Sequence, residues 1–531
     1  MCISLMLFVY SIKQVYPIII EVTDPLGLAS NLTPAYWIGL AILAMAAIMA
    51  FFDYELKSDA IFILLLFAIG LFLVGIIVFG YENALSPSTY SFMGQAKGVL
   101  KTSHIAITTP FSSVSSLTSY YSWPEYYFLS TPILKTTGID PGLFIKYWPL
   151  FWIVFFICII YALGKRLELK SNYCFLLGIL AMASWTWMYH FVPSTLGMLL
   201  YLLLFMLIIT PRKTRADIVV VTLIFATLII THGLTALAVL LPLLLISIYR
   251  RDGTLIVLFA VMFGAWYLFQ AYAAAEAGIQ QFLLHPLLQL YKAVQPETYE
   301  LASALGRAVS RYSQLGRLAL YIILVLGSAI MLLRGKITGP RRVQVISIFC
   351  WLVGIIPIIF LSYGEELGRA YLFAVVPSAF LVVLSLPSRK LLAILMCLLI
   401  ALFPLANHTG DASWGQVLSS EMKGAEYIAL KTDNQTENSY FYYYYGFMSY
   451  YNPGIRVKTI SLLFGARLPQ DVDPSILDEY DFVVMSKQGT NSLLYSWGQD
   501  PYLAWLQTDT GQKADLIYNN RYFLVYRNNI K

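Results

Sequence analysis

The chain has 531 residues, of which 59% are hydrophobic and only 12% are charged. Soluble proteins carry roughly 25% charged residues, so a water-soluble fold is excluded. The net charge of +6 is small and argues against nucleic acid as a partner.

A membrane-spanning helix needs about 20 mostly apolar residues. In chain order, twelve segments meet that need: 34–52, 60–80, 147–164, 173–189, 195–210, 217–232, 234–249, 254–272, 317–333, 343–362, 370–386 and 390–406. A thirteenth candidate, 3–20, is interrupted by Lys13 and Pro17 and lacks the small-residue cleavage site of a signal peptide. Basic residues crowd into alternate loops, which marks those loops as cytoplasmic. They are Lys57; Lys165, Arg166 and Lys170; Arg212, Lys213 and Arg215; Arg250 and Arg251; Arg334, Lys336, Arg341 and Arg342; and Arg389 and Lys390. The opposite short turns carry Arg369 alone. Loops 81–146 and 273–316 are then external, as is everything after residue 406. The sequons at Asn31, Asn407 and Asn434 fall on the same side. The cysteines, Cys2, Cys158, Cys174, Cys350 and Cys397, lie in apolar segments without a CxxC pair and are expected to be buried hydrophobes.

The first external loop holds Tyr121-Ser122-Trp123-Pro124-Glu125-Tyr126-Tyr127. Trp and Tyr favour the membrane–water interface, so this run reads either as an interfacial belt or as a substrate-facing wall. In the second loop, Leu283, Leu284, Leu287, Leu288 and Tyr291, then Leu301, Leu305, Val309 and Tyr312, recur at helical spacing. They predict amphipathic helices on the bilayer surface, with Arg307 and Arg311 on one face. From about residue 415 the long apolar runs stop. Glu421 to Leu430 predicts a helix, and Ser439–Tyr445, Ile455–Ile460, Tyr480–Met485 and Tyr522–Tyr526 predict strands. Further helical stretches are expected near 475 and over 502–508. The predicted architecture is a polytopic α-helical membrane protein with about 12–13 spans (residues 1–406) and a small extracytoplasmic α/β domain (407–531).

Ionisable residues at external span ends are the candidate chemistry. His232, in Thr231-His232-Gly233-Leu234-Thr235, stands at a sharp reversal between two spans. Its imidazole suits donation to a phosphate and equally suits a hydrogen-bonded turn. His190, before Phe191-Val192-Pro193, occupies a similar place. Glu366 and Arg369 are three apart, hence neighbours on a helix, and fit either an internal ion pair or a guanidinium fork on a lipid phosphate. Carboxylates near the external loops are available to a divalent cation, without a defined ligand set. No P-loop, dinucleotide fingerprint, HExxH or nucleophile elbow is present.

These residues resemble the GT-C superfamily of membrane glycosyltransferases, especially archaeal-type members. Asp24-Pro25-Leu26-Gly27-Leu28 with Tyr36-Trp37-Ile38-Gly39-Leu40 resembles the approach to their first span. Gly94–His104, Tyr121–Pro124 and Gly138 resemble their large first external loop. Pro193–Gly197, Thr231–Thr235 and Glu366–Phe373 resemble recurring span junctions, and Ala514–Asn520 resembles the end of their extracytoplasmic domain. The resemblance implies transfer of a sugar from a polyprenyl- or dolichyl-phosphate carrier to an acceptor glycan or protein on the external face of the plasma membrane. A carboxylate would take the acceptor proton, and cationic donors would hold the leaving phosphate. Arg369 and His232, with Glu366, His190 and Trp123 around the substrate, meet the second need. At the family's acidic position this chain has Ser88-Thr89-Tyr90, which leaves Glu82 or Glu125 as the base. The alternative is a non-catalytic GT-C-like protein that binds a glycolipid or a protein partner. A transporter is disfavoured, because the charges sit at span ends and no inverted repeat is visible.

Overall fold

The computed structural model describes residues 1–20, 24, 26–53, 58–103, 122–185, 190–210, 214–271, 304–335, 337–360, 366–385, 416–431, 439–441, 450–451, 482–486, 505–520 and 523–527. The apolar segments fold as helices: α1 (Cys2–Val15), α2 (Pro34–Phe52), α3 (Asp59–Gly80), and, in the first large loop, α4 (Pro87–Thr102) and α5 (Glu125–Thr137). There follow α6 (Pro141–Arg166), α7 (Ser171–Ser184), α8 (Pro193–Ile209), α9 (Arg215–Thr231), α10 (Gly233–Arg250) and α11 (Thr254–Phe269). The bundle continues with α12 (Ala304–Leu333), α13 (Gly339–Ile355), a 3₁₀ turn (Ile356–Phe360) and α14 (Glu366–Ser385). Five described helices are long and apolar enough to cross a bilayer, and shorter apolar helices pack among them. The predicted span 390–406 and the loop residues 273–303 lie outside the described residues, as do the side chains of Arg307 and Arg311. The backbone from residue 304 onward is one helix that runs straight into the span predicted at 317–333.

Local chemistry sets the helix ends. Proline, whose missing N–H costs nothing at a first turn, opens α2, α4, α6 and α8. Asp140 caps α6, its carboxylate accepting from Leu143 N at 2.9 Å. Thr214 and Asp217 form a reciprocal capping box at the start of α9. A π turn over Leu71–Gly75 interrupts α3, and the Tyr36 hydroxyl donates to the Phe72 carbonyl there at 2.9 Å. Large apolar side chains stay exposed at helical spacing: Ile38, Met45 and Met49 on α2, Val257 and Val261 on α11. Such faces suit lipid, not water. Among the described cysteines Cys2 and Cys158 are exposed, Cys350 is half-buried and Cys174 is fully buried, which corrects the expectation of uniformly buried cysteines; Cys397 lies outside the described residues. An outward apolar side chain costs nothing in a bilayer.

The basic ends of the spans gather at one end of the bundle. Lys165 Nζ is 2.8 Å from Asp59 Oδ1, and Arg166 reaches Asp217 at 3.8 Å. Arg250 donates to the carbonyls of Ile208 and Ile209, each at 2.8 Å. At the opposite end sits a four-stranded sheet in the order β1–β2–β4–β3, formed by β1 (Ser439–Phe441), β2 (Phe482–Ser486), β3 (Asp515–Asn519) and β4 (Phe523–Arg527). β1 and β2 are parallel; β2, β4 and β3 pair antiparallel. Helix α15 (Ser419–Lys431) packs on β4, and α16 (Asp509–Lys513) precedes β3. The strand predicted over 455–460 and the helix near 475 fall outside the described residues; of the helix expected over 502–508, residues 502–504 fall outside them, Trp505 is helical, and the chain turns over 506–508 into α16.

A second apolar core joins this sheet to the loop helices: Tyr90, Phe92, Tyr126, Phe144, Phe191, Met422, Val484 and Phe523 share it. Asn83 donates to the Val417 carbonyl at 3.2 Å, and Lys97 donates to the Tyr450 carbonyl at 2.7 Å. The Gln416 side chain bonds both the Ile18 carbonyl and the Ile20 N–H.

Candidate functional site

At the end of the bundle away from the basic residues, two turns, one loop segment and one helix start converge. His232 lies in the turn between α9 and α10, outside both helices, and is buried. Its Nδ1 accepts from the Thr235 backbone N–H at 3.3 Å and lies 2.8 Å from Thr235 Oγ1. Accepting at Nδ1 puts the proton of the neutral ring on Nε2, which then donates. Burial first, and then the nearby Arg369 charge, hold the imidazole well below its ordinary range and keep it neutral. His232 therefore caps a helix with one nitrogen and offers a donor with the other.

Gly233 makes this turn possible. A side chain there would collide with the Tyr267 hydroxyl of α11 and meet the Trp123 ring at 3.0 Å. Trp123 and Tyr267 pack edge to face, with centroids 6.4 Å apart, and Trp266 Nε1 donates to the Ser122 carbonyl at 3.2 Å. The loop segment is thus pinned onto the His232 turn at residues 122 and 123.

Three residues later it is pinned again. The Tyr126 ring lies on Phe191, centroids 4.2 Å apart, in the turn between α7 and α8. His190, beside Phe191, is buried and its Nε2 lies 3.4 Å from Ser88 Oγ at the start of α4. Thr195 Oγ1 donates to the His190 carbonyl at 2.9 Å and fixes that turn to α8. Helix α8, which leaves the His190 turn, packs on the His232 turn, since a Cβ on Gly197 would lie 3.2 Å from His232 Cβ. Glu125 sits between the two pinned points, half-buried, and burial pushes its carboxyl up.

Arg369 comes from the first turn of α14, half-buried and within electrostatic reach of His232. The start of α14 is held by the Tyr371 hydroxyl donating to the Ser184 carbonyl at 2.9 Å, while Tyr321 Oη is 2.5 Å from Ser184 Oγ. Glu366 opens the same helix one turn earlier; its side chain lies outside the described residues.

Of the residues singled out in the sequence, the fold places Trp123 and Arg369 at the His232 turn and His190 at the neighbouring turn, with Glu125 on the loop segment between Trp123 and Tyr126. Glu82 is exposed, its carbonyl accepts from Lys146 Nζ at 3.1 Å, and its neighbour Asn83 holds the C-terminal segment. Tyr267 and the Ser88–His190 contact had no local signal, since each joins residues distant in sequence. Among the described residues no group of three or more His, Cys, Asp or Glu side chains converges as a metal site.

No protein-family model matches the sequence, and no curated protein matches it. Solved structures do match. The chain is similar to the archaeal oligosaccharyltransferase AglB from Archaeoglobus fulgidus, in complex with an inhibitory peptide and a dolichol-phosphate, with a TM-score of 0.51 at 10% identity over 84% of this chain and 72% of that one. ArnT from Cupriavidus metallidurans, bound to undecaprenyl phosphate, aligns more loosely, with a TM-score of 0.40 at 12% identity over 88% of this chain and 97% of ArnT. At 10% identity what the chain shares with AglB is the fold. The chain is a polytopic membrane protein that shares its fold with the archaeal oligosaccharyltransferase AglB.

Proposed function

We propose that this protein is a membrane glycosyltransferase that moves a sugar from a polyprenyl- or dolichyl-phosphate carrier to an acceptor. The observation that carries the reading is Arg369 within electrostatic reach of a buried, neutral His232, with half-buried Glu125 two residues after Trp123, which packs on the His232 turn. By the distribution of basic residues, that end and the sheet domain of residues 407–531 are extracytoplasmic. AglB is bound to a dolichol-phosphate, and a lipid phosphate suits the donors here. The Arg369 fork takes phosphate oxygens in pairs, and His232 Nε2–H gives a third hydrogen bond.

The acceptor hydroxyl oxygen attacks the anomeric carbon and forms the new glycosidic bond. The bond from that carbon to the phosphate oxygen breaks, and the phosphate leaves with the electron pair. Glu125 takes the hydroxyl proton, and its raised carboxyl makes it a stronger base than an exposed glutamate. Arg369 and His232 stabilise the charge that grows on the phosphate.

A second reading, a non-catalytic glycolipid-binding protein, is favoured by Ser88-Thr89-Tyr90 at the family's acidic position. Lipids copurifying from native membranes test the first step common to both. Mass spectrometry should find a polyprenyl phosphate or its sugar conjugate on the wild type. Arg369→Ala should lower it about tenfold, the equivalent of one charge-assisted hydrogen bond. Bulk phospholipid alone on both proteins would sink the lipid-phosphate site.

A further inference from the structure

Two threonines of α9, Thr227 and Thr231, each donate to the carbonyl four residues earlier, at 3.0 and 2.6 Å. That is the ordinary use of a threonine hydroxyl inside a helix. Thr235, the third residue of α10, is placed differently. Its Oγ1 lies 2.8 Å from His232 Nδ1, and its backbone N–H donates to the same nitrogen at 3.3 Å. Both residues are buried.

These two contacts decide the tautomer of the ring. A backbone N–H only donates, so the nitrogen that faces it carries a lone pair. The Thr235 hydroxyl then donates to that lone pair as well, and the proton of the neutral ring stands on Nε2. At 3.3 Å the backbone bond is long, and the 2.8 Å hydroxyl bond carries more of the hold. The pair is also walled in. A Cβ on Gly197 of α8 would lie 3.2 Å from His232 Cβ and 3.3 Å from Thr235 Oγ1, while Trp123 and Tyr267 fill the space at Gly233.

We propose that Thr235 is a positioning residue of the transfer site, whose hydroxyl holds His232 as the Nε2–H tautomer so that the ring meets a phosphate oxygen as a donor. The opposite tautomer would present a lone pair to an anion and set an N–H against the Thr235 backbone N–H. Burial and the nearby Arg369 charge keep a second proton off the ring, so its donor is the neutral N–H that Thr235 selects. Thr235 acts through the imidazole and needs no contact of its own with the substrate. The inference rests on the glycosyltransferase reading and names the group that gives its histidine a defined role.

The test uses the full chain in lipid nanodiscs. Nitrogen NMR of histidine-labelled protein separates protonated from unprotonated ring nitrogens, and the His232 signals are those lost in His232→Gln. The wild type should show one neutral ring with its proton on Nε2. Thr235→Val keeps the shape, removes the hydroxyl and should give a mixture of tautomers. Thr235→Ser should restore the single form. Thr227→Val removes a hydroxyl bonded to the α9 backbone and should leave the His232 signals as they are. A short-chain polyprenyl phosphate is titrated into the same samples. It should bind roughly fivefold more weakly to Thr235→Val, the equivalent of one neutral hydrogen bond, and as to the wild type in the other two threonine variants. Three results would overturn the positioning role alone, with Arg369-dependent phosphate binding intact: a wild-type ring protonated on Nδ1, a single Nε2–H form in Thr235→Val, or a mixed ring that binds as the wild type does. A wild type that binds no polyprenyl phosphate would remove the glycosyltransferase reading and the positioning role with it.

Discussion

Glu125 is fixed less by its own bonds than by its neighbours, since Trp123 and Tyr126 anchor the chain on either side of it. Its raised carboxyl sets the pH behaviour of transfer. As pH falls through that raised range the base is protonated and activity is lost, so the acid limb of the rate profile should lie above the ordinary glutamate value of about 4.3. Glu125→Gln should remove the limb and cost roughly 10²–10⁴-fold in rate. A limb at ordinary carboxylate values that persists in Glu125→Gln would assign the base to another group. His232, already neutral, contributes no limb of its own. Arg369 and His232 were legible in the sequence because a charge or imidazole at a short external turn is conspicuous against apolar spans. The pinning of the loop around Glu125 was not legible, because the pins, Gly233 against Tyr267 and Tyr126 against Phe191, join residues 34 and 65 positions apart by their numbering.

The helices could be read closely because proline and capping residues mark their starts, as at Pro34, Pro141, Pro193 and the Thr214–Asp217 box. How tightly they approach one another could not. At Gly354 of α13 an added Cβ would run into the backbone of Pro242 in α10, the most extensively packed helix pair among the described residues. Backbone cannot rotate away as a side chain can. Gly354→Ala should therefore force the two helices apart and destabilise the protein by about 1–3 kcal/mol, seen as a lower unfolding temperature in detergent. An unchanged melting temperature would show that the approach is looser than the geometry gives. Strand β3 escaped sequence reading for a different reason. Asp515, Leu516 and Ile517 are all exposed at the sheet edge, and a bulge between Leu516 and Tyr518 breaks the register, so no alternation of apolar and polar residues survives.

For the whole molecule, the gathering of Lys165, Arg166 and Arg250 at one end and the sheet at the other makes a prediction about sidedness. In a protein freed of native cysteines, a cysteine at Lys513 should react with a membrane-impermeant thiol reagent added outside intact cells, and one at Lys170 should react only after lysis. The reverse pattern would invert the orientation and remove the site from the external face. The helical bundle was legible from hydropathy; the union of sheet and loop helices was not, because Asn83 meets Val417 and Lys97 meets Tyr450 across more than 300 residues. The Gln416 amide shows the same reach at its extreme, with Ile20 bonded to a side chain 396 positions downstream. During synthesis at about 5–20 residues per second, the early segment waits on the order of 20–80 s after its own emergence before that partner is made. Its backbone groups must be kept from other partners through the insertion of every intervening span, so the last closure of this fold is a race between the ribosome and misplaced pairing.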